Sequence, residues 1–503
     1  MKKYCNILMI LIFASQIFMS CSNFLDKNPT TQISSGTFWK SDADVQQAVI
    51  GVYAQMKNIG GPYGYYKVWL DTYSDNAYDS DNLLDFRDIT VGSINATSVP
   101  WWVIYQPPYQ TIAACNYFLD NVDNAPIPDA DKNMYSAEVK FVRAMNYFDL
   151  AQGFGGVVVY KTTPPDAAAA HVAASPVDSV LAFVNSDLDF AIANLPDVPY
   201  TNFAVKGSAL AERARVAMYQ KDWTTAVNLT GQIINSGVFR ISPDYRGLFL
   251  SATQVGNPEI MFSSKYLAPN DLNGTSTSGI DVSVGYFGEV QPYQNLVDEY
   301  EMTNGKMITD PTSGYDSANP YDNRDPRLSY TVELPTDSTF SYHSTSSVLT
   351  GYCTKKYVDW SNFPFDYIKS NRQDQNMVHI RYADVLLMYA ESKNELSGPD
   401  ASIYSALNQI RQRPGVNMPP VDESLYGSQS ALRDFIRHER RIEFALEGNR
   451  YYDLKRWGLM AEKLAAIKNP GGVQLKFGEI NNVLPLPQVD LDKNPNLKQN
   501  PGY

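Results

Sequence analysis

Histidine and cysteine are scarce in this chain of 503 residues, which contains four of each. The histidines lie far apart, at His171, His343, His379 and His438, and neither H-E-x-x-H nor C-x-x-C occurs. Protein zinc sites need ligands at such close spacings. The glycines at 153–156 follow a helical pattern rather than a strand, which argues against a dinucleotide loop. We therefore expect neither a metal centre nor a cofactor.

An excess of positive charge is also missing. The chain has 41 lysines and arginines against 54 aspartates and glutamates, a formal charge of −13. Nucleic-acid binding needs a basic footprint, so this balance excludes it as a main function. It equally excludes a polybasic patch for anionic lipid. Neutral ligands fit the charge best.

No apolar run is long enough to cross a bilayer, which takes about 20 residues. The amino terminus instead has Lys2 and Lys3 followed by the short apolar run 7–18, a pattern that predicts a signal peptide over residues 1–20. Ser20 and Cys21 then resemble a bacterial lipobox, which predicts lipid on Cys21 as the only membrane anchor. An ordinary signal peptide that ends near a cysteine is the alternative.

Two cysteines remain in the mature chain, Cys115 and Cys353. The sequence does not decide whether they form a disulfide, because two distant cysteines specify no pairing. Cys115 lies in a helical run, where a buried free thiol is the simpler interpretation.

Apolar residues at helical spacing, with turn signals between the runs, predict a mainly α fold built on about four helix pairs. The third pair has the small and apolar residues of a tetratricopeptide hairpin, which must stack on neighbours to bury its apolar face. The pairs are 42–57 with 102–122, 135–152 with 177–195, 208–220 with 224–236, and 378–396 with 403–411.

Two regions break the helical pattern, residues 60–101 and 241–375. Both are rich in Gly, Pro, Asn, Asp, Ser and Tyr. We predict long structured loops with short strands in both regions. Such loops on a rigid scaffold usually carry function.

The segment 436–458 reads IRHERRIEFALEGNRYYDLKRWG. On a helical wheel, Glu439 falls on the same face as Phe435 and Ile442. A buried carboxylate is costly unless it is paired, so we expect an arginine partner from another helix, with Arg381 and Arg411 as candidates. A catalytic acid is the alternative.

The same segment closely resembles the signature of the SusD/RagB family, E-R-R-x-E-F-x-x-E-x-x-R-x-x-D-L-x-R-W. Further matches follow the family's order and cover essentially the whole mature chain. They are Phe24-Leu25-Asp26 and the Phe38-Trp39 pair near the start, the R-D-P-R turn at 324–327, R-Y-A-D at 381–384 where the family has R-Y-A-E, the L-N-x-I-R helix at 407–411, and the closing P-x-P and Q-N-P-G-Y.

The resemblance implies a SusD-like helical fold, with an N-terminal region 21–240 and a C-terminal region 241–503 packed as one unit. It implies a lipid-anchored protein on the outer surface of the outer membrane. Such proteins capture oligosaccharides without catalysis and pass them to a SusC-type TonB-dependent transporter. Some relatives bind peptides or glycoprotein glycans, so the ligand stays open.

The first irregular region holds many rings, including Tyr78, and we expect them to form a sugar-binding surface. Sugar rings stack their C–H faces on aromatic planes, while their hydroxyl groups hydrogen-bond to polar side chains. Asp75, Asn76 and Arg87 are the polar candidates nearby. Trp101 is a further candidate, because the adjacent Trp102 fits a family core position and should be the more buried of the two.

The second irregular region adds Tyr286 and Phe287, which stand between two glycines, and Trp360, which precedes another loop. We expect these rings to complete the ligand site. Asp75, Asp79 and Asp81 lack the glycine of a calcium loop and are interpreted as a solvated acidic turn, with a calcium site as the alternative.

Two other classes remain open. A glycoside hydrolase needs two carboxylates about 5 to 9.5 Å apart, and 54 acidic residues leave room for such a pair. A periplasmic repeat scaffold would suit the helices but not the tyrosine-rich loops.

Overall fold

The computed structural model describes residues 38–57, 63–81, 85–98, 100–268, 271, 273, 279–343, 348–363 and 374–503. The predicted signal peptide and Cys21 lie outside the described residues.

The structure is mainly α-helical, as the sequence predicts. Before residue 241 the helices are α1 (Asp42–Met56), α2 (Arg87–Val91), α3 (Trp101–Ile104), α4 (Gln106–Asn121), α5 (Asp129–Phe154), α6 (Val177–Asn194), α7 (Lys206–Tyr219) and α8 (Trp223–Ser236). After it they are α9 (Ser251–Gln254), α10 (Gln294–Glu299), α11 (Pro326–Thr331), α12 (Tyr382–Ser397), α13 (Ala401–Arg411), α14 (Gln429–Glu443), α15 (Arg450–Trp457), α16 (Met460–Ala465) and α17 (Gln488–Lys493).

All four predicted helix pairs are present, as α1 with α4, α5 with α6, α7 with α8, and α12 with α13. Local signals set their ends. Ser41 and Asp44 form a capping box at the start of α1, and Asp400 caps α13 by accepting from the amides of Ser402 and Ile403. The pairs stack further, because α8 also packs against α12.

Several helix boundaries differ from the sequence prediction, and α5 begins six residues earlier than predicted, at Asp129. The second helix of the first pair is split at Tyr105, because Pro107 and Pro108 occupy the first turn of a new helix, where no amide donor is needed. Helix α5 continues through Phe154 and ends at Gly155, whose φ of +68° favours glycine. Val378 belongs to a strand rather than to α12.

The irregular regions contain the strands β1 (Ala77–Asp79), β2 (Ile260–Ser264), β3 (Val290–Pro292), β4 (Val332–Glu333) and β5 (Cys353–Thr354), and β6 (Met377–Arg381) follows the second region directly. They form three two-stranded antiparallel sheets within the described residues: β1 with β3, β2 with β6 and β4 with β5. The β1–β3 pair connects the first irregular region to the second.

The buried apolar side chains form one continuous cluster that runs through both halves of the chain. Cys115 and Cys353 are both buried and are not joined in a disulfide, and Cys115 has the predicted helical setting. Arg215 on α7 pairs with Asp384 on α12 at 2.8 Å, which adds a polar link between the halves.

Candidate functional site

The aromatic segment after α1 is folded into the core. Residues Tyr65–Tyr73 form a 3-10 helix, and Trp69, Tyr73 and Tyr78 are almost fully buried. The Tyr73 ring lies 5.4 Å from the ring of Phe86 and 5.6 Å from that of Tyr451, both edge-on. The expectation that these rings line an open surface is therefore wrong.

The polar candidates of this segment have partners inside the protein. Asp75 is buried and accepts two hydrogen bonds from Arg450, at 2.7 and 2.9 Å. Arg441 lies 3.3 Å from the same carboxylate and donates to the amide oxygen of Asn76 at 3.0 Å. Burial alone would raise the pKa of Asp75, but the two guanidinium groups hold it well below its usual range. Asp75 and Asn76 are thus tied to α14 and α15, and the interpretation of a solvated acidic turn is wrong for Asp75 and for the buried Asp79.

Arg87 shapes the turn after β1. Its side chain donates to the carbonyl oxygens of Asp79 and Ser80, each at 2.6 Å, and its guanidinium lies 4.5 Å from the centre of the Tyr78 ring. Tyr78 is only 6% exposed. Tyr78 and Arg87 therefore stabilise the junction between β1 and α2.

The two neighbouring tryptophans have the opposite environments to those expected. Trp101 is 2% exposed, packs edge-on against Phe154 at 5.5 Å and donates from its indole N–H to the carbonyl of Asn95 at 3.1 Å. Trp102 is 66% exposed. The one-turn helix α3 points Trp101 inward, so the expectation that it is the freer ring is wrong.

Glu439 is fully buried and paired with arginine, as predicted. One carboxylate oxygen lies 2.9 Å from Arg411, which was a candidate, and the other lies 2.5 Å from Arg327 of the R-D-P-R turn. Arg381, the second candidate, instead pairs with Glu443 at 2.6 Å and with Glu447 at 2.8 Å. These ion pairs hold the signature segment against the rest of the C-terminal half, which supports a structural role for Glu439.

His438 connects α14 to the second irregular region. Its two ring nitrogens lie 2.9 Å from Glu299 and 3.2 Å from Glu301. Burial would lower the pKa of His438, but these two carboxylates outweigh it and raise the pKa to about 9. The side chain of His438 is only 13% exposed, so this charged contact lies largely inside the protein.

The second irregular region is built on close backbone packing. A π-helix, Asp281–Tyr286, contains Gly285, where an added Cβ would lie 2.6 Å from the side chain of Val358. Gly288 follows with a φ of +62°, and an added Cβ there would lie 3.0 Å from the Cys353 sulfur. Glycine is thus required on both sides of the Tyr286–Phe287 pair, which the turn brings to the surface.

Five rings gather at this surface, and we call them the aromatic face: Tyr286, Phe287, Tyr342, Trp360 and Phe363. Tyr342 and Phe363 stack in parallel, with ring centres 3.9 Å apart and planes 2° apart. Trp360 lies 5.9 Å from Tyr342, and Phe287 lies 5.4 Å from Tyr286. Phe287 and Tyr342 are each 41% exposed, the other three are partly buried, and the face therefore offers ring surface to solvent.

Hydrogen bonds hold the rings in place. The Trp360 indole N–H donates to a Glu333 carboxylate oxygen at 2.6 Å, and Thr339 donates to the same side chain. His343 lies edge-on to Trp360 at 5.5 Å, and its Nδ1 is 3.2 Å from the carbonyl oxygen of Tyr286. Three separate stretches of chain thus fix one face, which lowers the entropy cost of ordering it on binding.

Carboxylates lie beside the aromatic face. Ser80 donates to the carbonyl oxygens of Glu289 and Gly288, each at 2.9 Å, and so brings the exposed Asp81 next to the face. Burial, with added repulsion from Asp81 and Asp79, raises the pKa of Glu289 to about 7. The face therefore has an acidic border that can accept hydrogen bonds.

The structure brings three of the predicted site residues together, Tyr286, Phe287 and Trp360. It does not bring Trp101, Asp75, Asn76 and Tyr78 to this surface. Tyr342 was missed, although the close spacing of Phe340, Tyr342 and His343 in a polar stretch is a sequence signal of the same kind.

No helix in the described part of the chain is long and apolar enough to cross a membrane. The same residues contain no group of three or more histidine, cysteine or acidic side chains arranged to hold a metal ion.

Models of one protein family match both halves of the chain. The model of the SusD family matches residues 258–503, and a model described as "Starch-binding associating with outer membrane" matches residues 23–218. The chain belongs to the SusD/RagB family, whose members are carbohydrate-binding proteins associated with the outer membrane.

Relatives match over nearly the full length. SusD-like protein P25 of Formosa agariphila is 27% identical over 98% of this chain and 99% of its own. The starch-binding protein SusD of Bacteroides thetaiotaomicron is 21% identical over 100% and 99%. The crystal structure of a SusD-like carbohydrate-binding protein from Bacteroides fragilis superposes with a TM-score of 0.80, at 27% identity, over 92% of this chain and 100% of that one.

Proposed function

We propose that this protein captures oligosaccharides on the aromatic face and delivers them to a SusC-type TonB-dependent transporter. The observation that carries the proposal is the set of five rings held together at the surface, with the Tyr342–Phe363 stack at its centre. Aromatic side chains on a preformed surface bind with little loss of conformational entropy.

The chemistry of the face suits a neutral glycan. Ring planes contact the C–H faces of sugars, and acceptors such as Asp81 at the border can take hydrogen bonds from their hydroxyl groups. The formal charge of −13 disfavours anionic ligands. The names of two relatives support this ligand class, since one is a starch-binding protein and the other a carbohydrate-binding protein.

The proposed location is the outer face of the outer membrane, with lipid on Cys21 as the anchor. The Ser20–Cys21 pair after the apolar run supports this anchor. Cys21→Ala should move the protein from the membrane fraction to the soluble fraction and abolish labelling with a fatty-acid analogue. Unchanged labelling would contradict the anchor.

We also propose that regions 21–240 and 241–503 work as one unit. The ion pairs from Asp75 to Arg450 and from Arg215 to Asp384 support this, because each joins the two regions through buried charges. A rigid unit is suited to closing over a transporter.

Affinity electrophoresis against a panel of neutral polysaccharides tests the ligand proposal. Wild type should be retarded by at least one glycan, and the double variant Tyr342→Ala/Phe363→Ala should migrate as in a gel without glycan. Trp102→Ala is the matched control, because it removes an exposed ring that lies outside the face. Equal retardation of wild type and the double variant would contradict the site.

A second function has one observation in its favour. A carboxyl group with a pKa near 7, as in Glu289, resembles the general acid of a glycoside hydrolase. Chromatography of glycan incubated with wild type and with Glu289→Gln separates the two functions. Binding alone leaves the glycan intact with both proteins, whereas products that disappear in Glu289→Gln would establish hydrolysis.

A further inference from the structure

A second cavity lies away from the aromatic face and shares no residue with it. It occupies about 750 Å³ between α4, the chain segment 158–171 and α17. This volume falls within the range of about 300 to 1,000 Å³ that is typical of small-molecule sites.

The cavity is preformed by hydrogen bonds on two sides of the segment 158–171. The Tyr160 hydroxyl donates to the carbonyl of Ala170 at 2.8 Å, and Asn116 on α4 donates to the carbonyl of Tyr160 at 2.8 Å. On the other side, the Asn494 amide donates to the carbonyl of Val172 at 2.8 Å. The segment is therefore held in place, and little ordering is needed for a ligand to bind.

Three tyrosines line one wall. The rings of Tyr105 and Tyr109 are 5.1 Å apart, and those of Tyr109 and Tyr160 are 6.1 Å apart with planes at 75°. Tyr109 and Tyr160 are partly exposed, while Tyr105 is buried behind them. This wall offers aromatic surface to a ligand in the cavity.

Asp490 on α17 provides an acceptor without a donor. Its Oδ2 is buried and has no hydrogen-bond partner among the described residues. Burial raises the pKa of Asp490, and Lys493, one turn away on the same helix, opposes that rise. An orphaned acceptor is costly to bury, so a ligand hydroxyl that donates to Asp490 would remove that cost.

We propose that this cavity binds a short neutral saccharide of one or two rings, with Tyr109 and Tyr160 against the sugar and Asp490 accepting from a hydroxyl group. Lys493 balances the charge of Asp490, so the cavity has no excess charge to select an ion. Gln106 and Gln110 line the same cavity, and their side-chain amides can exchange hydrogen bonds with several hydroxyl groups of a sugar. The site is independent of the aromatic face.

Saturation-transfer NMR tests the proposal on mature protein that carries Tyr342→Ala/Phe363→Ala, which removes the stacked pair on which the proposed binding at the aromatic face depends. The probes are maltose, cellobiose, laminaribiose, xylobiose and the cation benzyltrimethylammonium. At least one disaccharide should bind, and adding Asp490→Ala should weaken that binding about tenfold, as the loss of a hydrogen bond to a charged acceptor does. Asp492→Ala, an exposed carboxylate on the same helix, is the matched control and should change nothing.

Ala113→Trp provides a second test that removes no hydrogen bond, because Ala113 lines the cavity and a bulky side chain would fill it. It should abolish the same disaccharide signal. The proposal is overturned if no disaccharide binds once the aromatic face is removed, or if Asp490→Ala and Ala113→Trp leave the signal unchanged. Binding of the ammonium probe alone would make the cavity an organic-cation site and would also overturn it.

Discussion

Two stretches of this chain have similar compositions and opposite environments. Residues 63–81 and residues 280–363 are both rich in tyrosine and aspartate. In the first, Trp69, Tyr73 and Tyr78 are buried in the core. In the second, Phe287 and Tyr342 keep about two fifths of their surface in solvent.

The difference lies in the partners of the polar residues. Asp75 and Asn76 pair with arginines on α14 and α15, so these two polar side chains can be buried together with the neighbouring aromatic rings. In the second stretch, by contrast, the rings of Phe287 and Tyr342 stay partly in solvent, and Asp81 beside Glu289 is exposed. A stretch rich in aromatic and polar residues therefore indicates a binding surface only if no arginine from a distant part of the chain pairs with its polar side chains in the core.

The largest expected effect is that of Asp75→Asn. Removing this carboxylate leaves the buried Arg450 without its counter-ion, which typically costs about 3 to 5 kcal/mol. We expect a fall of that size in the free energy of unfolding, measured by urea denaturation at pH 7, with unchanged glycan affinity of the folded protein. Glu462→Gln, in the exposed pair with Lys463, should leave the urea midpoint unchanged. Normal stability with lost binding would place Asp75 back in the ligand site.

The neighbouring residues Trp101 and Trp102 allow a comparison between a buried and an exposed ring at adjacent positions. Trp101→Ala should lower the free energy of unfolding by about 3 to 5 kcal/mol, because it opens a cavity beside Phe154. Trp102→Ala should change it by less than about 0.5 kcal/mol, since most of that ring is already in water. Thermal and urea unfolding of the two variants check this order. Equal stability of both would contradict the burial of Trp101.

His438 anchors the second stretch, and its pKa predicts a pH effect. The folded-state pKa of about 9 lies above the ordinary 6.5, so the stabilisation is complete below about pH 6.5 and is lost as the pH rises through 9. The difference in unfolding free energy between wild type and His438→Gln should be roughly 2 to 3 kcal/mol at pH 6 and should shrink towards pH 10. Comparing the two proteins cancels the other groups that titrate in this range. A difference that is constant with pH would show that the histidine is not charged.

The smallest effect is expected at the aromatic face. Phe287→Ala should weaken binding of the cognate glycan about tenfold, or roughly 1.4 kcal/mol, because one stacking surface is lost. The melting temperature of the Phe287→Ala variant should barely change. The glycan affinity of the wild-type protein should be nearly the same at low and at high ionic strength. Isothermal titration at both salt concentrations measures this. A large loss of stability would mean that Phe287 belongs to the core, as the rings of the first stretch do.

The scaffold could be predicted because its signals are local. Helix periodicity located all four pairs, and the apolar face around Glu439 required a buried arginine, which Arg411 supplies. The wrong assignments depend on contacts across several hundred residues. Asp75 lies 375 positions from Arg450 in the sequence. No local pattern in 63–81 indicates that Asp75 pairs with the guanidinium groups of Arg441 and Arg450.

The Trp101 error has a different cause. The resemblance to the family placed Trp102 in the core, but the helix is interrupted at Tyr105, and in the one-turn helix α3 Trp101 is the buried ring of the two. Phe287 was located correctly at the surface because flanking glycines are a local signal with a steric reason, the close approach of Val358 and Cys353.

The ion pairs around α14 and α15 also have a consequence for the order in which the chain folds. Hairpins such as α7–α8 join neighbours in sequence and can form as soon as they are synthesised. The carboxylates of Asp75, Glu259 and Glu301 reach their arginines only when residues 381–450 are present, so those groups stay hydrated until then. A chain that stops before β6 lacks all three of these arginines, so it cannot close these buried ion pairs and is not a smaller version of the protein.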